Sequence, residues 1–207
     1  ALARWITDRA NPLAARVAVN HVWMRHFHQP LVQSVFDFGR AGAAPTHPRL
    51  LDWLAVEFME GGWRMKGLHR LLVTSAAYRR RSDADAAPAS ADADPANALL
   101  WRMNVGRMEA EVVRDSLLGL SGLLDPTVGG MELENDAVLT THRRSLYYCT
   151  QPESDGRSAF ASVFDCADPC DGYRRPRTII PQQALALSNS ELAHAAARAL
   201  AEGIVAG

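Results

Sequence analysis

Three histidines close together in the sequence are the first side chains of this chain that could bind a metal ion. His21, His26 and His28 lie at the end of a predicted helix. Ligands on one helix face are spaced by three or four residues, whereas His21 and His26 are five apart. His26 and His28 can converge on one ion only if the helix ends between them. The spacing therefore favours polar surface or loop-capping roles, and we predict no metal site.

Two thiols four residues apart, Cys166 and Cys170, are the next candidates. A zinc site needs further soft ligands at a suitable spacing, and no such pair occurs nearby. A disulfide in an oxidising compartment and two unpaired, partly buried thiols both stay open. The chain has no Cys-x-x-Cys-His motif, so we expect no haem attached to it and no cofactor of its own.

A charged loop carries the third candidate chemistry. Asp165 and Asp168 are followed by the run Arg174-Arg175-Pro176-Arg177. Arginine and carboxylate groups form two-pronged hydrogen-bonded pairs that could lock this loop onto the helices. The alternative is an anion or carboxylate site in which the aspartates orient the arginine donors.

Composition narrows the class of protein. The chain has 207 residues, 48% apolar and 22% charged, which excludes wholesale disorder. Its 22 basic and 23 acidic side chains leave a net charge of -1, so no strong field attracts nucleic acid. We find no apolar run long enough for a membrane span, no phosphate-binding glycine loop and no nucleophile elbow.

Hydrophobic periodicity predicts the elements that must position these side chains. Helical spacing predicts a mainly α fold with a bundle-like core of about six helices, long irregular loops and at most a small β element. The helices are expected near residues 11–27, 46–60, 65–77 and 107–124, with two more between 181 and 201. Arg144–Cys149 is the best strand candidate, and Ser188 is the predicted cap of the last helix.

The predicted organisation is a single domain, 1–207, cut from a longer multidomain protein. It has a helical part at 1–81, a loop rich in Ala, Asp and Pro at 82–97, and a helical and loop part at 98–207. The first residues, Ala-Leu-Ala-Arg-Trp, include no Met and no charged-then-apolar leader.

Several strings together resemble a known family. They include Asn11-Pro-Leu-Ala-Ala-Arg-Val-Ala-Val-Asn20-His-Val-Trp23, Asp37-Phe-Gly39, Pro45-Thr-His-Pro-Arg-Leu-Leu-Asp-Trp-Leu54, Leu72-Val-Thr-Ser-Ala-Ala-Tyr78, Glu109-Ala-Glu-Val-Val-Arg-Asp115, Arg144-Ser-Leu-Tyr147 and Gln183-Ala-Leu-Ala-Leu187. In order and over nearly the whole chain, they resemble the planctomycete surface-domain family, a C-terminal domain of unknown function in large multidomain proteins.

The resemblance implies an exported protein, in the periplasm or at the cell surface, whose partners are companion domains of the same chain. It also implies that the parent protein often carries a c-type cytochrome domain, and hence haem, elsewhere. The chain departs from the family pattern at His28, where the family usually has Gly, and at Asn104-Val-Gly106, which replaces a Pro/Arg-rich segment. Ser188 replaces Leu, and Cys166 and Cys170 are not typical.

Polar residues inside the matching strings and the charged loop form the candidate site. They are Arg16, Asn20, His26, Asp37, His47, Asp165, Asp168, Arg175, Arg177 and Gln183. Polar groups on otherwise apolar faces are costly unless they are paired. We therefore predict that the first helix, the loop of Asp37 and His47, and the 165–183 segment meet in one polar cluster. That cluster is either a hydrogen-bond network that holds loops to a helical core or a binding site.

The leading functional hypothesis is a non-catalytic interaction or scaffolding domain that docks a companion domain, one linked to electron transfer. It requires exposed apolar surface. One alternative is a hydrolase that acts on a polymer or sugar with Asp, His and Arg as acid–base groups. The other is a metal-binding module with three or more converging ligands.

Arginine dominates the basic residues, because only Lys66 is Lys. The planar guanidinium of Arg pairs with carboxylates better than Lys does, so we also expect Arg and Asp side chains to be paired.

Overall fold

The chain is mainly α-helical, as predicted. A computed structural model describes residues 1–85, 87–151 and 158–206. They form two compact units, unit 1 at Ala1–Gly106 and unit 2 at Arg107–Gly207. The interpretation of the whole chain as one domain stays a prediction.

Nine α-helices and two short 3₁₀ helices occur among the residues that the structure describes. Unit 1 contains α1 (Leu2–Ile6), α2 (Pro12–Phe27), α3 (Pro48–Glu60), α4 (Met65–Val73) and α5 (Pro88–Ala93). Unit 2 contains α6 (Ala110–Leu120), 3₁₀ helices at Asn135–Leu139 and Ser145–Tyr147, α7 (Ala159–Val163), α8 (Pro181–Asn189) and α9 (Glu191–Ala206). The six predicted helices correspond to α2, α3, α4, α6, α8 and α9. The other three span six residues or fewer, too short for periodicity to reveal.

The ends of α2 show how local chemistry sets a helix boundary. Asn11 is the N-cap, and its side-chain oxygen accepts a hydrogen bond from the Leu13 amide at 3.2 Å. Pro12 occupies the first helical position, where its missing N–H costs nothing. The helix ends at His28, whose φ of 64° is left-handed and is usually adopted by glycine. A Cβ on Gly106 would lie only 2.3 Å from Nε2 of His28, so the imidazole ring packs against bare backbone.

The core of unit 1 is apolar and is built by α2, α3 and α4. In α3, Leu51, Leu54, Ala55 and Phe58 are buried at helical spacing. They pack with side chains of the other two helices and the loop after α2, namely Ala15, Val19, Val22, Trp23, Phe27, Leu31, Val32, Leu68 and Leu72. Burial of each large side chain stabilises the fold by about 2 kcal/mol.

The core of unit 2 is smaller. It contains Ala110 and Val113 of α6, Val138 of the first 3₁₀ helix, and Phe160 and Phe164 at α7. Helix α6 contacts α7, α9 and the second 3₁₀ helix, and α8 contacts both α7 and α9. Long irregular segments, 121–134 and 164–180, connect these elements.

Two local predictions were wrong. The strand predicted at Arg144–Cys149 contains the 3₁₀ helix Ser145–Tyr147, and its β pairing is limited to single bridges such as Leu133 with Tyr148. A side chain prevents the extended form, because Asp115 binds both the amide and the hydroxyl of Ser145. The last helix begins at Glu191, and Ser190 rather than Ser188 accepts the capping hydrogen bond, from Ala193.

Candidate functional site

The five predicted site residues of unit 1 each bond to a partner outside the predicted set. Asn20 is fully buried, and its amide both donates to the carbonyl of Val32 at 3.1 Å and accepts from the Val32 amide at 2.9 Å. This pair of bonds fixes the loop after α2 to the helix. On the half-exposed edge of α2, Arg16 pairs with Asp52 of α3 at 2.5 Å.

The loop residues of the predicted set make only local bonds. Asp37 is exposed, and its carboxylate accepts from the amide of Gly39 at 2.7 Å. His47 precedes α3, and its Nδ1 lies 3.1 Å from the hydroxyl of Thr46. Both contacts shape the turn in which they occur.

His26 contacts a second histidine that the sequence analysis did not single out. Its Nε2 lies 2.7 Å from Nδ1 of His69 on α4, and the two half-buried rings meet edge-on. Burial and, second, the charge of His69 lower the pKa of His26 from its ordinary value. The spacing argument compared positions within one helix, so it had no means of finding a partner 43 residues away.

In unit 2, Asp165 and Gln183 belong to one hydrogen-bonded group. Asp165 forms an ion pair with Arg107 and accepts from the amide and the hydroxyl of Thr178 at 2.7 and 2.9 Å. Gln183 donates to the carbonyls of Thr178 and Val163, both at 3.0 Å. Asp165 also has a left-handed φ of 55°, which aspartate tolerates better than most residues. The group holds the end of α7 to the start of α8.

The remaining three predicted residues of unit 2 are Arg175, Asp168 and Arg177. Arg175 is mostly buried and binds Glu111 at 2.6 Å and Glu109 at 3.3 Å. Asp168 accepts from the amide of Cys170 at 2.8 Å, within a local turn, and Arg177 is exposed.

The ten predicted residues thus fall equally into the two units. Within unit 2, Asp165 and Gln183 are brought together through Thr178, while Arg175 has its own acidic partners. The predicted union of both sets into one polar cluster stays a prediction.

A highly connected polar side chain in the described part of unit 2 is Arg114, which was not among the predicted site residues. It is 1% exposed, and its guanidinium donates to the carbonyls of Val138 and Arg143 at 2.7 Å and to that of Thr141. Its carbon Cζ also lies 5.0 Å from the centre of the Tyr148 ring. Burial lowers the pKa of Arg114 from its ordinary value, while Tyr148 and Asp115 oppose the shift. Its position could have identified it, because an arginine within the apolar pattern of α6 must be buried and therefore needs hydrogen-bond partners.

Asp115 extends the anchoring to the second 3₁₀ helix. Its Oδ1 accepts from the amide and the hydroxyl of Ser145 at 2.8 and 2.7 Å. Nη1 of Arg114 lies 3.5 Å from the same carboxylate, and Nε of Arg144 lies 3.8 Å from its other oxygen. Adjacent residues of α6 thereby tie the whole 138–148 segment to the helix.

An open groove of about 610 Å³ lies along α6. Its volume is in the range of ligand-binding clefts. Arg175, Glu109 and Glu111 line one part, and Asp115 and Arg144 line another. Apolar and neutral side chains complete the lining, including Val112, Ser116, Leu146, Tyr148 and Thr150. A small cavity of about 40 Å³ shares Glu111, Ser145, Tyr148 and Thr150 with the groove.

The carboxylates of the groove are paired with cations. Glu109 and Glu111 share Arg175, and Asp115 lies against Arg114 and Arg144. Burial acts to raise the pKa of Glu111, but its hydrogen bond to Arg175 and the charge of that residue lower the pKa overall. A general acid needs the opposite shift, so these surroundings do not prepare Glu111 for that role.

Among the described residues, none of the three cysteines forms a disulfide: Cys149 and Cys166 are half-buried and line the small cavity, and Cys170 is exposed. Burial and the charge of Glu132 raise the pKa of Cys149 from its ordinary value. A raised pKa keeps the thiol protonated and lowers its reactivity.

The described residues contain neither a metal-binding group nor a membrane-spanning helix. Within 1–85, 87–151 and 158–206, no three His, Cys, Asp or Glu side chains are arranged to bind a metal ion. In the same part of the chain, none of the helices has the length and apolar character needed to cross a membrane.

Comparisons with known proteins place the chain in a family. Searches of curated proteins and of solved structures each found no match. The model of a family described as PSD1, a protein of unknown function (DUF1553), matches residues 1–206, which is nearly the whole chain. This match agrees with the resemblance carried by the sequence strings, whereas the planctomycete, export and cytochrome associations stay predictions. The chain belongs to the PSD1 family of proteins of unknown function, DUF1553.

Proposed function

We propose that this chain is a non-catalytic docking domain of an exported multidomain protein, and that a companion domain of the same parent protein binds in the groove along α6. The observation that carries the proposal is the combination of exposed apolar side chains and internally paired charges in that groove. Leu146 is 72% exposed and Val112 is 45% exposed. Apolar centres surrounded by charged rims are typical of protein interfaces.

The charged side chains of the groove suit recognition. Arg175 is neutralised by two glutamates, so it is not free to bind a further anion. Arg144 is half exposed, and its Nε lies 3.8 Å from the carboxylate of Asp115, too far for a strong hydrogen bond. A planar guanidinium in this state can bind a carboxylate of a partner with two hydrogen bonds. The expected occupant is therefore a segment of the companion domain that presents an apolar side chain and a carboxylate.

Site-specific photo-crosslinking in the full-length parent protein tests the proposal. A photoreactive amino acid at position 146 is expected to crosslink to a peptide from outside residues 1–207. The matched control places it at Val205, which is 89% exposed and does not line the groove. Equal crosslinking from both positions, or crosslinks from position 146 only within unit 2, would overturn the proposal.

Binding measurements with the crosslinked companion domain, produced separately, give the second test. Leu146→Asp is expected to weaken binding at least about tenfold, because a charge replaces a central apolar contact. Arg144→Gln should weaken binding less and should reduce its dependence on salt. Val205→Asp should leave the affinity unchanged.

A further inference from the structure

The two histidines of unit 1 form a pair whose geometry allows a separate inference, independent of the groove in unit 2. Nε2 of His26 and Nδ1 of His69 are 2.7 Å apart, a hydrogen-bond distance. The pair bridges α2 and α4, which also pack through Phe27, Leu68 and Leu72. The edge of the His26 ring also meets Tyr78, with ring centres 5.8 Å apart.

The number of protons on the pair decides whether its hydrogen bond exists. In the neutral pair, one inner nitrogen carries a proton and the other accepts it. A first added proton goes to an outer nitrogen and leaves the bond intact, because the charged ring can donate to the neutral one. A second added proton gives both inner nitrogens an N–H group. The bond is then lost, and two positive charges face each other at contact distance.

Among the described residues, the charged side chains next to the pair in sequence are cationic. Arg25 precedes His26 on α2, and Lys66 and Arg70 flank His69 on α4, while Arg79 follows Tyr78 on the next turn. Helix α3 packs against both helices, and two of its carboxylates are already paired, Asp52 with Arg16 and Glu60 with Arg9. The other charged groups of α3 are exposed, and they are Arg49 and Glu57.

We propose that His26 and His69 form a pH-sensitive latch between α2 and α4, closed with zero or one added proton and open with two. Imidazoles change charge between about pH 5 and 8, and the charge of the first proton opposes the second, so acidification opens the latch toward the lower end of this range. The contact broken is at the last turn of α2, where Asn104 also binds the carbonyl of Phe27 at 2.8 Å. Opening therefore loosens the α2–α4 junction of unit 1.

An NMR titration of the imidazole nitrogens in the unmodified chain tests the latch directly. Coupled rings titrate in two steps that belong to the pair. We expect steps separated by at least about one pH unit, which is a tenfold difference in proton affinity. Two rings that titrate independently, each with the midpoint of an exposed histidine, would overturn the proposal. This measurement does not depend on any variant folding.

Hydrogen exchange of α4 amides provides the second readout, corrected for the intrinsic effect of pH. From pH 7.5 to 5, the equilibrium constant for opening of α4 should rise about tenfold or more in the unmodified chain. His69→Gln can still bond to His26 but cannot acquire a charge, so its rise should be less than about twofold. His47→Gln, in the same unit but outside the pair, should behave as the unmodified chain does. Equal profiles for all three proteins would contradict the latch.

Discussion

Each of the two units is stabilised internally by a different kind of interaction. Unit 1 has a large apolar core in which α2, α3 and α4 each contribute side chains at helical spacing. The described part of unit 2 has a smaller core, whose main cluster contains five buried apolar residues, and its 138–148 segment is attached to α6 by Arg114 and Asp115. The hydrophobic effect is roughly proportional to buried area, whereas buried polar groups need correctly placed partners. Helices can therefore be held by matching apolar stripes, while irregular loops need specific anchors.

Arg114→Met is expected to have the largest effect on this contrast. The substitution removes the donors for three main-chain carbonyls and leaves them buried, at a cost of about 4 kcal/mol of unfolding free energy in unit 2. Hydrogen exchange of α6 amides measures the loss. Arg198→Met, at an exposed position of α9, is the matched control. Equal stability of the two variants would show that apolar contacts alone hold unit 2.

Leu54→Ala is the corresponding change in unit 1. Leu54 is 1% exposed within α3, so its truncation creates a cavity and is expected to cost about 3 kcal/mol. All five tryptophans of the chain lie in unit 1, so their fluorescence during urea unfolding reports this loss selectively. Leu2→Ala, at an exposed position of α1, should change the unfolding free energy by less than about 0.5 kcal/mol.

Asn20→Ala tests whether unit 1 also depends on a polar anchor. The variant leaves the buried amide and carbonyl of Val32 without their partner and should cost about 2 kcal/mol. Tryptophan fluorescence again provides the measurement, with the exposed Gln29→Ala as control. A cost above that of Leu54→Ala would remove the distinction between an apolar and a polar unit.

The smallest expected effect is a difference in pH dependence between the units. The pKa of His26 is lowered in the folded chain, so unit 1 loses stability as the pH falls below the ordinary histidine value of 6.5. The pKa of Glu111 is also lowered, so its contribution to unit 2 is lost only below the ordinary value of 4.5. The effect of Glu111 should be about 1 kcal/mol or less, because its side chain is partly exposed. The effect in unit 1 should match the roughly tenfold change in opening expected for the His26–His69 pair.

Hydrogen exchange at pH 7.5, 5.5 and 3.5 measures both units in one sample. Unit 1 should lose protection in the first step, and unit 2 should lose it in the second. Glu111→Gln should remove part of the second loss and leave the first unchanged. A single transition shared by both units would contradict separate titrating groups.

The fold was predictable where apolar periodicity and caps coincide. The Asn11-Pro12 start of α2 and the Pro48 and Gly61 limits of α3 follow from side-chain and backbone chemistry within a few residues. The 144–149 segment was not predictable in this way. Its β-prone residues indicated a strand, but a distant carboxylate, Asp115, binds Ser145 and holds it in a 3₁₀ turn.

The candidate site was only partly predictable, because its partners are remote in sequence. The need for paired polar groups indicated Asp165, Arg175 and Gln183, and each of them has hydrogen-bonded or ionic partners in unit 2. Their role as a site stays a prediction. The identity of each partner depends on tertiary structure, as with Arg175 and Glu111, which are 64 residues apart. Arg114 was missed because it lies inside a helix that was interpreted through its apolar residues alone.

The contact between His28 and Gly106 makes the two positions dependent on each other. A Cβ at position 106 would lie 2.3 Å from Nε2 of His28, so any larger residue there would have to displace the imidazole ring. A substitution at 106 is therefore easier to accommodate when His28 is replaced by a small residue in the same variant than when it is made alone.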